Sequence, residues 1–394
     1  MRVLIATAHR ALVGGVETYL QALLPRLRDR GFELGLVCAT DADDSRARID
    51  DRCGGLPIWI ASEPNAVMAS AEAFRPDVVF THELPDPAAD AALAARYSTL
   101  AFVHNYGGSC ISGTKCHAAP SWQPCSRRLG PACLGLYLPR QCGGSNPLTA
   151  LKLYRTNRRR QAAFPLYRAV LVASHAMAAE VLRNGVSPKR IRLISLFPPG
   201  HVPDSEPPLP RPRTDRVLFV GRITALKGWR ELLAAMPLAE RDLGRRLTLV
   251  VAGDGPDREA FETEARRQGS RVEFLGWVDQ EQKASAMRSA DVLAVPSVWP
   301  EPFGLVGIEA GCVGLPAVGF AVGGIRDWLI PGVSGELAPG VRSEPAELAM
   351  ALVRTLIDDA HWQQLRIGAW ETSRRFSIEA HLDRLVPALQ AAGG

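Results

Sequence analysis

Arg216-Val217-Leu218-Phe219-Val220-Gly221-Arg222-Ile223-Thr224-Ala225-Leu226-Lys227-Gly228 reads as a buried strand that ends in a glycine loop carrying two cations. Arg222 and Lys227 can close on one anion there. An Arg fork with a Lys point charge neutralises a diphosphate leaving group without a metal ion. Further along the chain comes Pro300-Glu301-Pro302-Phe303-Gly304-Leu305-Val306-Gly307-Ile308-Glu309-Ala310. Pro302 and Gly304 keep its first half out of a regular helix, and the apolar residues after Gly304 continue as a short buried helix. Glu301 is therefore expected on a loop and Glu309, eight positions on, inside the helix. The amides of Phe303, Gly304 and Leu305 lie between the two carboxylates, at a helix start that offers unpaired N–H groups and about half a positive charge.

Outward from these stretches, short apolar runs alternate with amphipathic ones, the pattern of an α/β layered fold with parallel sheets. Strands are expected at Val3–Ala8, Leu34–Ala39, Asp77–Thr81, Leu100–His104, Ala169–Ala173 and Ile191–Leu196. Others are expected at Val217–Val220, Leu247–Ala252, Val272–Leu275 and Val292–Val295. From Val16 to Leu27 the apolar positions fall on one helical stripe. Seven prolines between Pro198 and Arg213 rule out both helix and central strand, so this segment reads as a linker between two domains. The length of 394 residues allows two cores. With 47% hydrophobic and 22% charged residues the chain has the balance of a globular protein. No apolar run approaches the roughly 18 residues of a membrane span. The opening strand, interrupted by His9 and Arg10, is unlike a signal peptide. A cytoplasmic location is the expectation, with peripheral contact on the inner face of a membrane.

The stretches VGRITALKG, VVAGDGP, FLGW and EPFGLVGIEA, followed by Gly314-Leu315-Pro316, Gly323-Gly324 and Gly335-Glu336-Leu337, resemble glycosyltransferase family 4. These are retaining transferases with the GT-B architecture, and the resemblance extends over nearly the whole chain. It implies two Rossmann-like domains with parallel sheets facing across a cleft, and a C-terminal helix crossing back to the first domain. Residues 1–197 would form the acceptor-side domain, with a cysteine-rich insertion at 105–147. Residues 198–213 would be the linker, 214–374 the nucleotide-sugar donor domain, and 375–394 the returning helix. On the resemblance, Glu301 holds hydroxyls of the donor sugar, Glu309 the ribose hydroxyls, and Arg222 with Lys227 the diphosphate. Gly221, Gly253, Phe303, Gly304 and Leu305 would line the donor site, with Val278 near the base.

Gly14 and Gly15 precede the first helix, and His104 ends a parallel strand at the edge where ligands bind such sheets. By itself a glycine pair is more often a plain turn, and a lone histidine at a strand end more often structural. The resemblance turns Gly14 and Gly15 toward the donor diphosphate and His104 toward donor sugar and acceptor. No Gly-x-Gly-x-x-Gly follows the first strand, so the dinucleotide fingerprint is absent.

The implied reaction is a retaining, metal-independent transfer of a sugar from a nucleoside diphosphate sugar, by frequency a UDP-sugar, to a hydroxyl acceptor, lipid-linked or a polysaccharide precursor. Eight residues of helix span about 12 Å, beyond the roughly 5 Å of a retaining hydrolase pair, so Glu301 and Glu309 hold hydroxyls rather than form a hydrolytic dyad. The alternatives are a non-catalytic nucleotide-sugar binding protein and a GT-B sugar-nucleotide epimerase. No cofactor is expected, the donor being a substrate.

Two features depart from a minimal chain of this family. Cys110, Cys116, Cys125, Cys133 and Cys142 cluster without a Cys-x-x-Cys pair, leaving structural zinc, disulfides and free thiols as open readings. From Ala91 to Pro203 there are fifteen Lys or Arg and one acid, Glu180, densest over Lys152–Arg160. That bias suits an anionic membrane surface or a phosphorylated acceptor. Without a recognised binding fold or aromatic interleaving, nucleic acid is not an expected partner.

Overall fold

The computed structural model describes residues 1–41, 47–49 and 54–394. They form two compact units. The first comprises Met1–Lys115, Ser126–Pro199 and Ile378–Gly394, and the second Cys116–Cys125 and Gly200–Ser377.

The strands up to the proline-rich segment are β1 (Arg2–His9), β2 (Glu33–Thr40), β3 (Ile58–Ile60), β4 (Val78–Thr81), β5 (Thr99–Val103), β6 (Cys116–His117), β7 (Gln123–Pro124), β8 (Ala169–Val172) and β9 (Ile191–Leu193). The first unit holds a parallel sheet in the order β3-β2-β1-β4-β5-β8-β9, while β6 and β7 pair antiparallel in the second unit. Its central strands are continuous apolar runs because helices cover both faces, and Val3, Leu4, Ile5, Phe80 and Phe102 are fully buried.

The helices here are α1 (Gly15–Asp29), α2 (Pro64–Phe74), α3 (Pro87–Arg96), α4 (Ala132–Tyr137), α5 (Pro147–Ala163) and α6 (His175–Arg183). Proline opens α2, α3 and α5, where the missing N–H costs nothing. Asp86, Asn146 and Ser174 cap α3, α5 and α6. α1 buries Tyr19, Leu20, Leu23, Leu24 and Leu27, the stripe expected from the sequence.

The second unit repeats the plan with β10 (Arg216–Val220), β11 (Thr248–Ala252), β12 (Val272–Gly276), β13 (Val292–Val295), β14 (Ala317–Phe320) and β15 (Gly335–Ala338). All pairs are parallel, in the order β12-β11-β10-β13-β14-β15. Its helices are α7 (Trp229–Leu243), α8 (Arg258–Gln268), α9 (Gln280–Ser289), α10 (Leu305–Cys312), α11 (Pro345–Leu356) and α12 (Asp359–Ser373). The last helix, α13 (Ile378–Gly393), belongs to the first unit and buries Leu382, Leu385 and Leu389. Two corrections to the strand expectations follow. The strand expected at Ile191–Leu196 leaves the sheet after Leu193, and β3, β6, β7, β14 and β15 were not anticipated.

The proline-rich segment from Gly200 lies within the second unit. Proline removes donors but keeps carbonyls, and α12 supplies the missing partners. Gln363 donates to the Arg211 carbonyl at 2.7 Å, Arg366 to Leu209 at 2.7 Å and Trp370 Nε1 to Asp204 at 2.7 Å.

Both sheets grow in one direction from their first strand and then in the other, so crevices open at the carboxyl ends between β1 and β4 and between β10 and β13. In the second unit the loops at that edge pack backbone on backbone. The Gly221 amide donates to Ala252 at 3.0 Å and the Gly253 amide to Gly276 at 2.7 Å. Gly253 has φ 149°, and a Cβ there would lie 2.0 Å from the Gly221 carbonyl oxygen. Gly253→Ala is expected to destabilise the fold by about 1–3 kcal/mol or more through strain and displacement of the Gly221 loop, read as a lowered urea midpoint. An unchanged midpoint would refute the close crossing.

Candidate active site

In the second unit, Gly221, Arg222, Gly253, Asp254, Trp277, Val278 and Lys283 line a cavity of 410 Å³ at the carboxyl ends of β10, β11 and β12. Arg222 is exposed and makes no hydrogen bond or ion pair with another described residue. Its guanidinium is therefore available to an anion entering the cavity.

Lys227 is committed differently. Gly228, at φ 70°, lets the β10 loop run against the β13 loop, because a Cβ there would fall 1.8 Å from the Pro296 carbonyl oxygen. That approach puts Lys227 Nζ 2.6 Å from Glu301 Oε1. The same oxygen accepts from Ser297 Oγ at 2.6 Å and Trp299 Nε1 at 3.1 Å. Glu301 is buried, at 5% exposure, and these donors take the place of the water its carboxylate loses. Oε2 has no partner among the described residues and can still accept a ligand hydroxyl. Lys227 also lies 5.9 Å from the Trp299 ring centroid, a cation–π distance.

α10 starts at Leu305 with Gly304 as its N-cap at φ 86°. Phe303 is buried, its ring 5.7 Å from Phe376 and its carbonyl accepting from Trp328 Nε1 at 2.8 Å, while its amide makes no hydrogen bond among the described residues. Inside α10, Glu309 Oε2 meets Lys283 Nζ at 2.9 Å, and Oε1 lies 3.9 Å from His201 Nδ1. Lys283 thus touches both the cavity and Glu309. The structure brings Arg222, Gly221, Gly253 and Val278 to one cavity and Lys227 to Glu301. Lys227 does not line that cavity with Arg222.

In the first unit, Gly14 is the extended N-cap of α1 and Gly15 its first residue, both exposed. A Cβ on Gly14 would meet Glu17 Oε2 at 3.3 Å. The Glu17 carboxyl, its pKa raised by burial against the pull of backbone hydrogen bonds and His9, already sits at this helix start.

His104 follows β5, stacked on Phe102 with ring centroids 4.4 Å apart. Its Nε2 is 2.8 Å from His82 Nδ1, while His82 Nε2 is buried without a hydrogen-bond partner among the described residues. Nearby, His381 Nδ1 lies 2.8 Å from the Ser195 carbonyl oxygen, so that nitrogen carries the proton and Tyr19 donates its hydroxyl to His381 Nε2 at 2.8 Å. Burial first, then the neighbouring histidines, lowers His82 well below its ordinary pKa and His104 to about 3. Burial lowers His381 to about 4, against the hydrogen bond to Ser195. Tyr19 is pushed up by burial. The cluster is neutral at pH 7.

His82 ends a strand, as the sequence shows, but no motif marks it. Lys283, Ser297, Trp299, Tyr19 and His381 carried no sequence signal of their own beyond the nearness of Ser297 and Trp299 to Glu301. Among the described residues no two cysteines are joined by a disulfide. Among those residues no group of three or more His, Cys, Asp or Glu could hold a metal ion.

A histidine whose folded pKa is depressed contributes stability that is present above its unfolded value near 6.5 and lost as pH falls through the folded value. Urea unfolding at about pH 5.5 is therefore expected to show stability reduced by on the order of 1 kcal/mol per histidine relative to about pH 7.5. His381→Gln should reduce that pH dependence. Equal pH dependence in wild type and variant would show that His381 takes up its second proton as readily folded as unfolded.

Residues 13–197 match the family model described as Glycosyltransferase Family 4, and residues 204–370 match Glycosyl transferases group 1. The D-inositol 3-phosphate glycosyltransferase of Corynebacterium diphtheriae is 35% identical over 204 residues, 49% of this chain and 47% of that protein. The 2-deoxystreptamine glucosyltransferase of Streptomyces kanamyceticus is 34% identical over 182 residues, 43% of this chain and 45% of that protein. The chain thus spans about half the length of these relatives. Among solved structures, Anabaena Alr3699/HepE in complex with UDP superposes with TM-score 0.69 at 19% identity, covering 99% of this chain and 100% of the other. Sucrose-phosphate synthase of Thermosynechococcus elongatus gives TM-score 0.69 at 22% identity, covering all of both chains. These likenesses establish the fold as GT-B. With a family model on each of its two sheets, the chain belongs to glycosyltransferase family 4.

Proposed function

We propose that the protein is a retaining, metal-independent glycosyltransferase of hexosyl type that moves a sugar from a UDP-sugar to a hydroxyl acceptor. The observation that carries this reading is the contrast among the basic residues of the second unit. Lys227 and Lys283 are each paired with a carboxylate, Glu301 and Glu309, whereas Arg222 stands unpaired in the 410 Å³ cavity. A diphosphate supplies the counter-charge that Arg222 lacks. Trp277, 80% exposed and lining the cavity, offers an indole face to the base. The UDP bound to Anabaena Alr3699/HepE and the glucosyl transfer named for the Streptomyces relative support a UDP-hexose.

In this mechanism the bond between the anomeric carbon and the diphosphate oxygen breaks first, toward an oxocarbenium-like state. Arg222 and the amides of Phe303, Gly304 and Leu305 take up the charge developing on the leaving oxygen. Lys227 reaches the phosphate by sharing its ammonium protons with Glu301. Glu301 Oε2 accepts a sugar hydroxyl, and Glu309 accepts ribose hydroxyls in competition with Lys283. The acceptor oxygen forms the new bond on the face that the phosphate leaves, and its proton passes to the departing phosphate. His104, neutral and held at the end of β5, binds a hydroxyl of donor or acceptor without acting as a cation. The basic bias of residues 91–203 suits an acceptor presented at an anionic membrane surface, or a lipid-linked one.

Thermal stabilisation by UDP, GDP and ADP, each with EDTA, tests the donor site. Selective stabilisation by UDP is expected, and Arg222→Ala should abolish it and lower kcat/KM by about 10²–10³-fold. Lys227→Ala should also cost about 1–3 kcal/mol of stability, because the buried Glu301 loses its charged donor. Protein that is folded yet unaffected by every nucleotide would overturn the reading.

A further inference from the structure

The charge bias of residues 91–203 resolves into separate places once the chain is folded. On α5, Arg160 is buried and pairs with Asp90 at 3.0 Å. Glu180, the one acid of the segment, is taken by Lys115 at 2.5 Å and by Arg183. Arg168, Lys189, Arg190 and Arg192, like Lys152, Arg155 and Arg159 on α5, have no carboxylate partner among the described residues, and the first four line a cavity of 520 Å³ in the first unit. Among the described residues no acid lines it.

Several elements build this concavity. Arg168 stands just before β8, and its amide donates to the Thr99 carbonyl at 2.8 Å, which sets it beside the start of β5. Lys189 and Arg190 come from a 3₁₀ turn opened by Pro188, and Arg192 from β9. Two guanidiniums are steadied by carbonyls. Arg190 donates to Pro165 and, at 3.3 Å, to Tyr167. Arg192 donates to Lys189 at 2.7 Å and Ile191 at 3.0 Å. Each fork keeps further N–H groups for an incoming oxygen, already oriented. Four like charges converge without a counter-charge, so an anion entering the cavity relieves their repulsion.

The geometry points to a binding site for a phosphate-bearing anion at the amino edge of the first sheet, lined by Arg168, Lys189, Arg190 and Arg192. This site goes beyond the transferase reading and does not rest on it. It opens at the start of β5, whereas His104 follows the end of that strand, about 16 Å away for five residues of strand. Its ligand carries its phosphate either on a soluble metabolite or on a lipid headgroup, and the chemistry that recognises both is the same.

The test titrates the full-length protein at low salt with inorganic pyrophosphate, and separately with phosphatidylcholine vesicles doped with phosphatidic acid. Wild type is compared with Arg168→Glu/Arg192→Glu, with Lys189→Glu, with Arg222→Ala, and with Arg155→Glu/Arg159→Glu on α5. Circular dichroism confirms that each variant is folded. A binding component retained in Arg222→Ala and in the α5 variant, but weakened at least about tenfold in the cavity variants, is expected. Its appearance with pyrophosphate assigns a soluble ligand, and its appearance with vesicles alone assigns a headgroup. No binding of either probe, equal binding by the cavity variants and wild type, or a component lost only in Arg222→Ala or only in the α5 variant, would overturn the site.

Discussion

Glu301 is the point on which the second unit's working edge depends. A carboxylate at 5% exposure is unfavourable unless donors replace its water, and here they come from Lys227, Ser297 and Trp299. Lys227 follows β10, and Ser297 and Trp299 follow β13. The Glu301 carbonyl also accepts from the Gly324 amide at 2.7 Å, in the segment after β14. One residue therefore joins the ends of three neighbouring strands. The glycine contacts that bring the loops together, Gly228 on Pro296 above all, exist at a distance that only the absence of a side chain permits.

The first unit solves the same problem without charge. Between the ends of β4 and β5 it places His82 and His104, with Tyr19 and His381 beside them, all desolvated and neutral near pH 7. A neutral cluster offers directed hydrogen bonds and little field. The two units thus hold different electrostatic environments, a polarised carboxylate–ammonium pair in one and a desolvated neutral cluster in the other.

Much of this could be read in the chain before folding, and the reasons differ by element. The strands β1, β10, β11 and β13 stand out because they are continuous apolar runs ending in polar or glycine-marked loops. β14 and β15 are four residues each, with Gly319 in one and Gly335 and Glu336 in the other, too short and too mixed to show a period. Ile194 and Leu196 are buried, which extended the apparent strand, but ladder pairing stops after Leu193. Arg222, Glu301 and Glu309 were legible as motif positions. The pairing of Lys227 with Glu301 joins residues far apart in sequence, and Lys283 sits in a helix without a motif, so neither could be seen from spacing. The basic run at Lys152–Arg160 stood out as one block of charge, yet Arg160 is a buried partner of Asp90, and four further cations line a cavity elsewhere.

The proline-rich segment has a further consequence. A free coil over residues 200–213 would have an end-to-end spread of roughly 20 Å. Bonded along α12 through Gln363, Arg366 and Trp370, it has instead a set reach and almost no slack. An insertion there would bulge away from α12 and leave the span unchanged, whereas loss of the helix donors would release the whole length at once. Its course is thus determined by a helix more than a hundred and fifty residues later in the chain.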